Sequence, residues 1–137
     1  MQYWLVKTEP ETYSFEDLKK EGVALWDGVR NYAARKHMQN MRKGDLVLVY
    51  HSGKSREIVG LTELVQEAFP DPTTSDDRWL AVKLKALKTF NFPIDLAWIK
   101  SQNNWSDWEL IKQSRLSVMP VPEDIMKRLQ EIGENGQ

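Results

Sequence analysis

Residues 44–69 read Gly44-Asp45-Leu46-Val47-Leu48-Val49-Tyr50-His51-Ser52-Gly53-Lys54-Ser55-Arg56-Glu57-Ile58-Val59-Gly60-Leu61-Thr62-Glu63-Leu64-Val65-Gln66-Glu67-Ala68-Phe69. Gly44-Asp45 is a turn signal, and Leu46–Tyr50 is an unbroken apolar run of the buried-strand type. His51–Glu57 is a polar loop. Ile58–Phe69 is again β-rich, and Gly60 inside it marks a bulge or a close backbone approach. Strand follows strand here with no helix between them.

The flanks add strands and short helices. On the N-terminal side, Tyr3–Val6 reads as a buried first strand that Pro10 interrupts. Ser14-Phe15-Glu16-Asp17 has the form of a capping box, which predicts a short helix to Lys20, stopped by Gly22. Val23–Trp26 is a brief apolar stretch, closed by the turn pair Asp27-Gly28. Asn31 is an N-cap for a helix to about Met41. On the C-terminal side, Pro70–Asp77 reads as a surface loop and Arg78–Phe90 as a long strand or one half of a hairpin. Pro93 is expected to open a helix over Ile94–Lys100, and Ser106 to cap a second one through Ile111. Leu116–Val121 is a last strand, and Pro122–Ile132 a closing helix. Strands mixed with short helices, without a βαβ rhythm, predict an α+β fold: a small β-barrel with peripheral short helices rather than a doubly wound sheet.

A chain of 137 residues fits one domain, expected to span residues 1–137. Such a domain buries roughly 68% of its unfolded surface, enough for a core without disulfides or a metal. The sequence has no cysteine and only two histidines, His37 and His51. Disulfides, thiolate metal sites, cysteine nucleophiles and His-rich metal centres are therefore excluded. No apolar run approaches the roughly 20 residues that span a membrane, and Met1–Lys7 enters a strand pattern without a signal-peptide layout. A cytoplasmic monomer is the default expectation. Net charge is −1, which is not the bulk signature of a nucleic-acid binder. The segment 28–44, however, carries Arg30, Arg35, Lys36, Arg42 and Lys43 and no acid. It is either a solvated helix face or a phosphate-facing patch.

Tyr3-Trp4-Leu5 followed by Lys7-Thr8-Glu9-Pro10 resembles the opening of the EVE domain family, with Thr8 in place of the usual serine. The likeness continues through Leu25-Trp26-Asp27-Gly28-Val29-Arg30-Asn31-Tyr32, Lys43–Leu48, Tyr50-His51-Ser52, Ile58-Val59-Gly60, Ala68-Phe69-Pro70-Asp71-Pro72 and Ser114-Arg115-Leu116-Ser117-Val118. These blocks stand in family order from residue 3 to about residue 121. The resemblance implies a PUA-like fold similar to the YTH domain. It also implies recognition of a modified base in nucleic acid, with modified cytosine in DNA favoured and methylated RNA an alternative. No cofactor is implied.

An enclosed base wants aromatic faces and a few fixed donors and acceptors at its edge. Trp26 stands before a turn, where an indole face can stay open. On residue type alone it reads as core, and the resemblance implies a stacking wall. Tyr32, Tyr50 and Phe69 are further wall candidates. Asn31, His51, Ser52, Gln113 and Ser114 can supply edge hydrogen bonds, although Asn31 is also the helix cap. Lys7, Arg30, Arg35 and Arg115 are candidates for phosphate or base contacts, and Arg30 has the alternative of an ion pair with Asp27 or Glu9. One rival is enzymatic. Lys7, Thr8 and Glu9 look like the Lys/Thr/Glu set of ASCH-type amidohydrolases, in which a lysine activates a threonine hydroxyl. Consecutive strand residues point to opposite faces, so Lys7 and Thr8 are expected to diverge.

Overall fold

The computed structural model describes residues Met1–Gln137. Six strands form one mixed sheet: β1 (Tyr3–Thr8), β2 (Val23–Trp26), β3 (Leu46–His51), β4 (Glu57–Pro70), β5 (Leu80–Asp95) and β6 (Val118–Pro120). Their order is β2-β5-β4-β3-β1-β6. The sheet does not close on itself, since β2 and β6 are its two edges. Register shifts within the long β4–β5 pair bend it, as bulges do. One pairing departs from the expected pattern. β1 runs parallel to β3, from Tyr3 opposite Leu46 to Thr8 opposite His51. A crossover holding α1 (Phe15–Glu21), β2 and α2 (Tyr32–Asn40) joins these two strands. Every other pair is antiparallel, so the α+β class stands.

The local signals of the N-terminal half hold. Asp17 N–H donates to Ser14 Oγ at 3.1 Å, and Ser14 N–H to Asp17 Oδ2 at 2.9 Å, completing the capping box. Asn31 Oδ1 accepts from Ala34 N–H at 3.0 Å and starts α2. Gly60 is a close approach: a Cβ there would sit 2.4 Å from the Phe15 ring. The ring of α1 thus packs directly on the backbone of β4.

The C-terminal half differs in two places. Pro93 lies inside β5 and does not open a helix. Thr89 pairs with Gly60 and Ile94 with Ile58, so residues 90–93 form an expanded bulge where no ladder N–H is required. The helix follows at Leu96–Lys100 (α3), capped by Asp95, whose carboxylate accepts from Trp98 N–H. Ser106 caps nothing. It ends a 3-10 turn over Asn103–Trp105, and α4 (Glu109–Lys112) begins after Trp108. The closing helix α5 (Glu123–Asn135) packs against β5. α2 packs against β4, β5 and β6, strands that are not all neighbours in the sheet order. No helix is long and apolar enough to cross a membrane.

Candidate functional site

The largest cavity, about 640 Å³, opens where β1 and β2 end. That volume lies in the range of small-ligand pockets. Lys7 and Thr8 from β1, Thr12 and Tyr13 from the following turn, Glu21 from α1, Leu25 and Trp26 from β2, Asp27–Arg30 and Ser117 line it. Lys7 and Thr8 were expected to diverge, yet both reach the cavity. Thr8 is the last residue of β1, where the strict alternation of the strand stops.

The aromatic wall is a corner. Tyr13 and Trp26 meet nearly at right angles, 78° with ring centroids 6.2 Å apart. Trp26 is only 7% exposed and belongs to the core as well as to the cavity lining. Tyr13 OH donates to Glu21 Oε1. Burial, then this bond to a carboxylate, raises the phenol's pKa, so it stays protonated. Thr8 Oγ1 donates to the Tyr13 carbonyl at 2.7 Å, and Lys7 Nζ to the Ser114 carbonyl at 3.0 Å. Burial lowers the Lys7 pKa, and its ammonium stands 5.6 Å from the Tyr50 ring centre.

The far wall is held by one buried carboxylate. Asp71 is 2% exposed, although it lies in a stretch expected to be a surface loop. Its Oδ2 accepts from Gly28 N–H at 2.9 Å and from Arg30 Nη1 at 2.9 Å. Its Oδ1 accepts from the Thr73 backbone N–H and hydroxyl. Burial alone would raise the pKa, but the bonds from Thr73, Gly28 and Arg30 outweigh it and hold the acid well below the usual carboxylate range. Gly28 has φ +76°, which gives the Asp27–Arg30 turn the shape Asp71 can grip. Arg30 is therefore ion-paired with Asp71, not with Asp27 or Glu9.

The other expected residues divide. Asn31, Gln113, Ser114 and Arg115 line a shallower groove that abuts the cavity through Arg30-Asn31 and the Lys7–Ser114 bond. Asn31 spends its oxygen on the helix cap. Tyr32 is exposed, 5.1 Å from Trp79, outside the cavity lining. Tyr50 is a core residue at 3% exposure, and Phe69 is half-buried on β4 without reaching the cavity. His51 ends β3, and its Nε2 accepts from Phe15 N–H at 3.0 Å, so it serves the start of α1. Ser52 N–H donates to the Thr8 carbonyl. The basic segment is not one patch. Arg35 Nε donates to the Arg78 carbonyl, whereas Arg42 bonds the carbonyls of Gln39 and Met41 beside a separate depression. Among the lining and supporting residues that sequence reasoning missed, Tyr13, Glu21 and Asp71 bring the aromatic and charged chemistry, and Thr12, Leu25, Asp27, Gly28, Val29 and Ser117 complete the lining.

The EVE domain family model matches residues 2–132. Thymocyte nuclear protein 1 of Mus musculus is 32% identical, over 89% of this chain and 69% of its own length. A crystal structure of human THYN1 protein in complex with 5-methylcytosine-containing DNA superposes with TM-score 0.89 at 29% identity, covering 98% of this chain and 99% of that one. A YTH domain from Zygosaccharomyces rouxii MRB1 protein, solved in complex with N6-methyladenosine RNA, shares the fold at TM-score 0.62 and 15% identity, covering 99% of this chain and 88% of that one. The sequence blocks from Tyr3 to Val118, the fold that carries them and a family match over almost the whole chain agree: the chain belongs to the EVE domain family.

Proposed function

We propose that this protein is a nucleic-acid-binding module that encloses one modified base, with modified cytosine in DNA first among the candidates, and that residues 1–137 do so as one monomeric unit. The observation that carries this reading is the cavity itself. An aromatic corner, a carboxylate and an ammonium converge on a space of about 640 Å³. The human relative crystallised with 5-methylcytosine DNA supports the same class of ligand.

Each role follows from the chemistry of the lining. Tyr13 and Trp26 offer a face and an edge to the flat ring. Glu21 uses one oxygen on Tyr13, which leaves the other to accept an exocyclic amino group such as cytosine N4. Lys7 retains donors beyond its bond to Ser114 for a ring acceptor. Leu25 and Val29 supply apolar surface for a methyl group. A buried methyl contributes about 0.8 kcal/mol, roughly fourfold in affinity, so the polar edge carries much of the selectivity. Arg30, Ser114 and Arg115 stand at the rim for the sugar-phosphate chain.

Binding is favoured over amide hydrolysis by where two protons lie. The Thr8 hydroxyl donates to the Tyr13 carbonyl and Lys7 to the Ser114 carbonyl, so this pair is not set up as base and nucleophile. The test is titration of single-stranded oligonucleotides that differ only in one central residue: cytosine, 5-methylcytosine or N6-methyladenine. The 5-methylcytosine strand should bind best, and Tyr13→Ala should lose about 1–3 kcal/mol, the worth of one stack. Equal affinity for all three, with Tyr13→Ala neutral, would reject base capture. Turnover of an N4-acylated cytidine that disappears in Thr8→Ala would replace the binding module with an amidohydrolase.

A further inference from the structure

Beside the cavity mouth lies a cluster that capture of one base does not use. Tyr32, the first residue of α2, is 59% exposed. One face of its ring leans on half-buried Trp79, at 5.1 Å and 36°, and the outer face is open. Its hydroxyl accepts from Arg78 Nη1 at 2.8 Å, and the same guanidinium is fixed on its other side by Asp76 at 2.9 Å. Arg78 and Arg30 both lie near the Trp79 ring, at 6.0 and 5.8 Å. Arg35 ties in through the Arg78 carbonyl and has no carboxylate partner, so its charge is available to a phosphate. Arg30 is shared: it lines the cavity, pairs with Asp71 and touches Trp79.

We propose that Tyr32 and Arg78, backed by Trp79, form a second subsite that stacks the base next to the enclosed one on the same single strand. The inference rests on base capture in the cavity. An exposed tyrosine clamped by an arginine is a rigid flat surface, since both partners are held before any ligand arrives. A neighbouring base follows the captured one at a few ångströms along the strand, about 3.4 Å when stacked and more when splayed. Arg30 joins the two places: it lines the cavity and stands 5.8 Å from the Trp79 ring on which Tyr32 leans, so the neighbouring base has an adjacent surface to reach. Stacking tolerates any base, so this subsite adds affinity without adding sequence preference. The acids nearby do not prevent it: Asp71 is buried and paired with Arg30, Asp76 is paired with Arg78, and Asp77 is exposed to solvent.

The experiment uses a nine-nucleotide single strand of DNA with central 5-methylcytosine, and versions abasic on one side or the other of it. Tyr32→Ala should bind the intact strand about 5- to 150-fold more weakly, the range of one lost stack, with an unchanged melting temperature. One of the two abasic strands should weaken wild type by a similar factor and Tyr32→Ala no further. Tyr32→Phe should stay near wild type. Tyr32→Ala binding like wild type while Tyr13→Ala is impaired would overturn the stacking subsite and leave base capture standing. Weakening by Tyr32→Ala with Tyr13→Ala neutral would overturn base capture instead, and no binding to any strand would overturn both.

Discussion

Two aromatic clusters on this molecule share their ring geometry and differ in their surroundings. Tyr13 and Trp26 meet edge to face in the cavity. Trp98, Trp105 and Trp108 meet the same way on the C-terminal segment, at 77° and 89°. In the second cluster the indoles pack on one another and on the core, and Trp108 Nε1 donates to the Pro120 carbonyl at 2.9 Å. None of these three lines the cavity. In the first cluster a carboxylate, an ammonium and a gripped turn surround the rings. Aromatic content and ring angle therefore do not mark a site. What marks it is empty space that polar groups face from several elements.

Breaking the packed cluster should have the largest effect. Trp108 is 3% exposed, so Trp108→Ala should lose about 3–5 kcal/mol of stability by denaturant unfolding. Any fraction that remains folded should bind oligonucleotides as wild type does. A binding defect in folded Trp108→Ala would erase the distinction between the clusters.

The next effect falls on the support of the cavity. Asp71→Ala removes an acceptor from four donors and strands Gly28 N–H and Thr73 N–H. It should cost about 2–3 kcal/mol of stability, the scale of hydrogen bonds to a charged group, and weaken binding in the protein that remains folded. Tight binding by Asp71→Ala would show that the Asp27–Arg30 turn holds its shape unaided.

A smaller effect separates a histidine that supports the fold from one that reads a base. His51 must be neutral at Nε2 to accept from Phe15 N–H, and burial lowers its pKa in the folded chain. The unfolded imidazole takes up a proton near pH ~6.5. Below that pH the unfolded state binds more protons, so stability falls as pH drops toward the folded value. His37, also lowered by burial, adds in the same direction. The urea midpoint should decline between pH 7 and 5. His51→Gln, whose amide oxygen can accept the same N–H, should flatten part of that decline. An identical pH slope in His51→Gln would remove the helix-start role.

Sequence alone determined the features whose partners are close along the chain. The capping box of Ser14 and Asp17, the cap at Asn31 and the strand run Leu46–Tyr50 are set by bonds and periodicities a few residues long. Gly60 announced a close approach because only glycine lacks the atom that would collide, though the ring it admits could not be read. Trp26 was singled out through its family block and does line the cavity, and the quoted blocks identified the family itself. Tertiary structure alone decided which residues converge. Gly28 and Asp71 stand 43 positions apart, and Lys7 and Ser114 stand 107 apart. Their meeting depends on the order of six strands and on where β4 and β5 shift register. The same geometry took His51 for the α1 start and scattered the basic segment. A one-residue slip of a strand would turn its side chains to the opposite face, so no local pattern could have fixed these contacts.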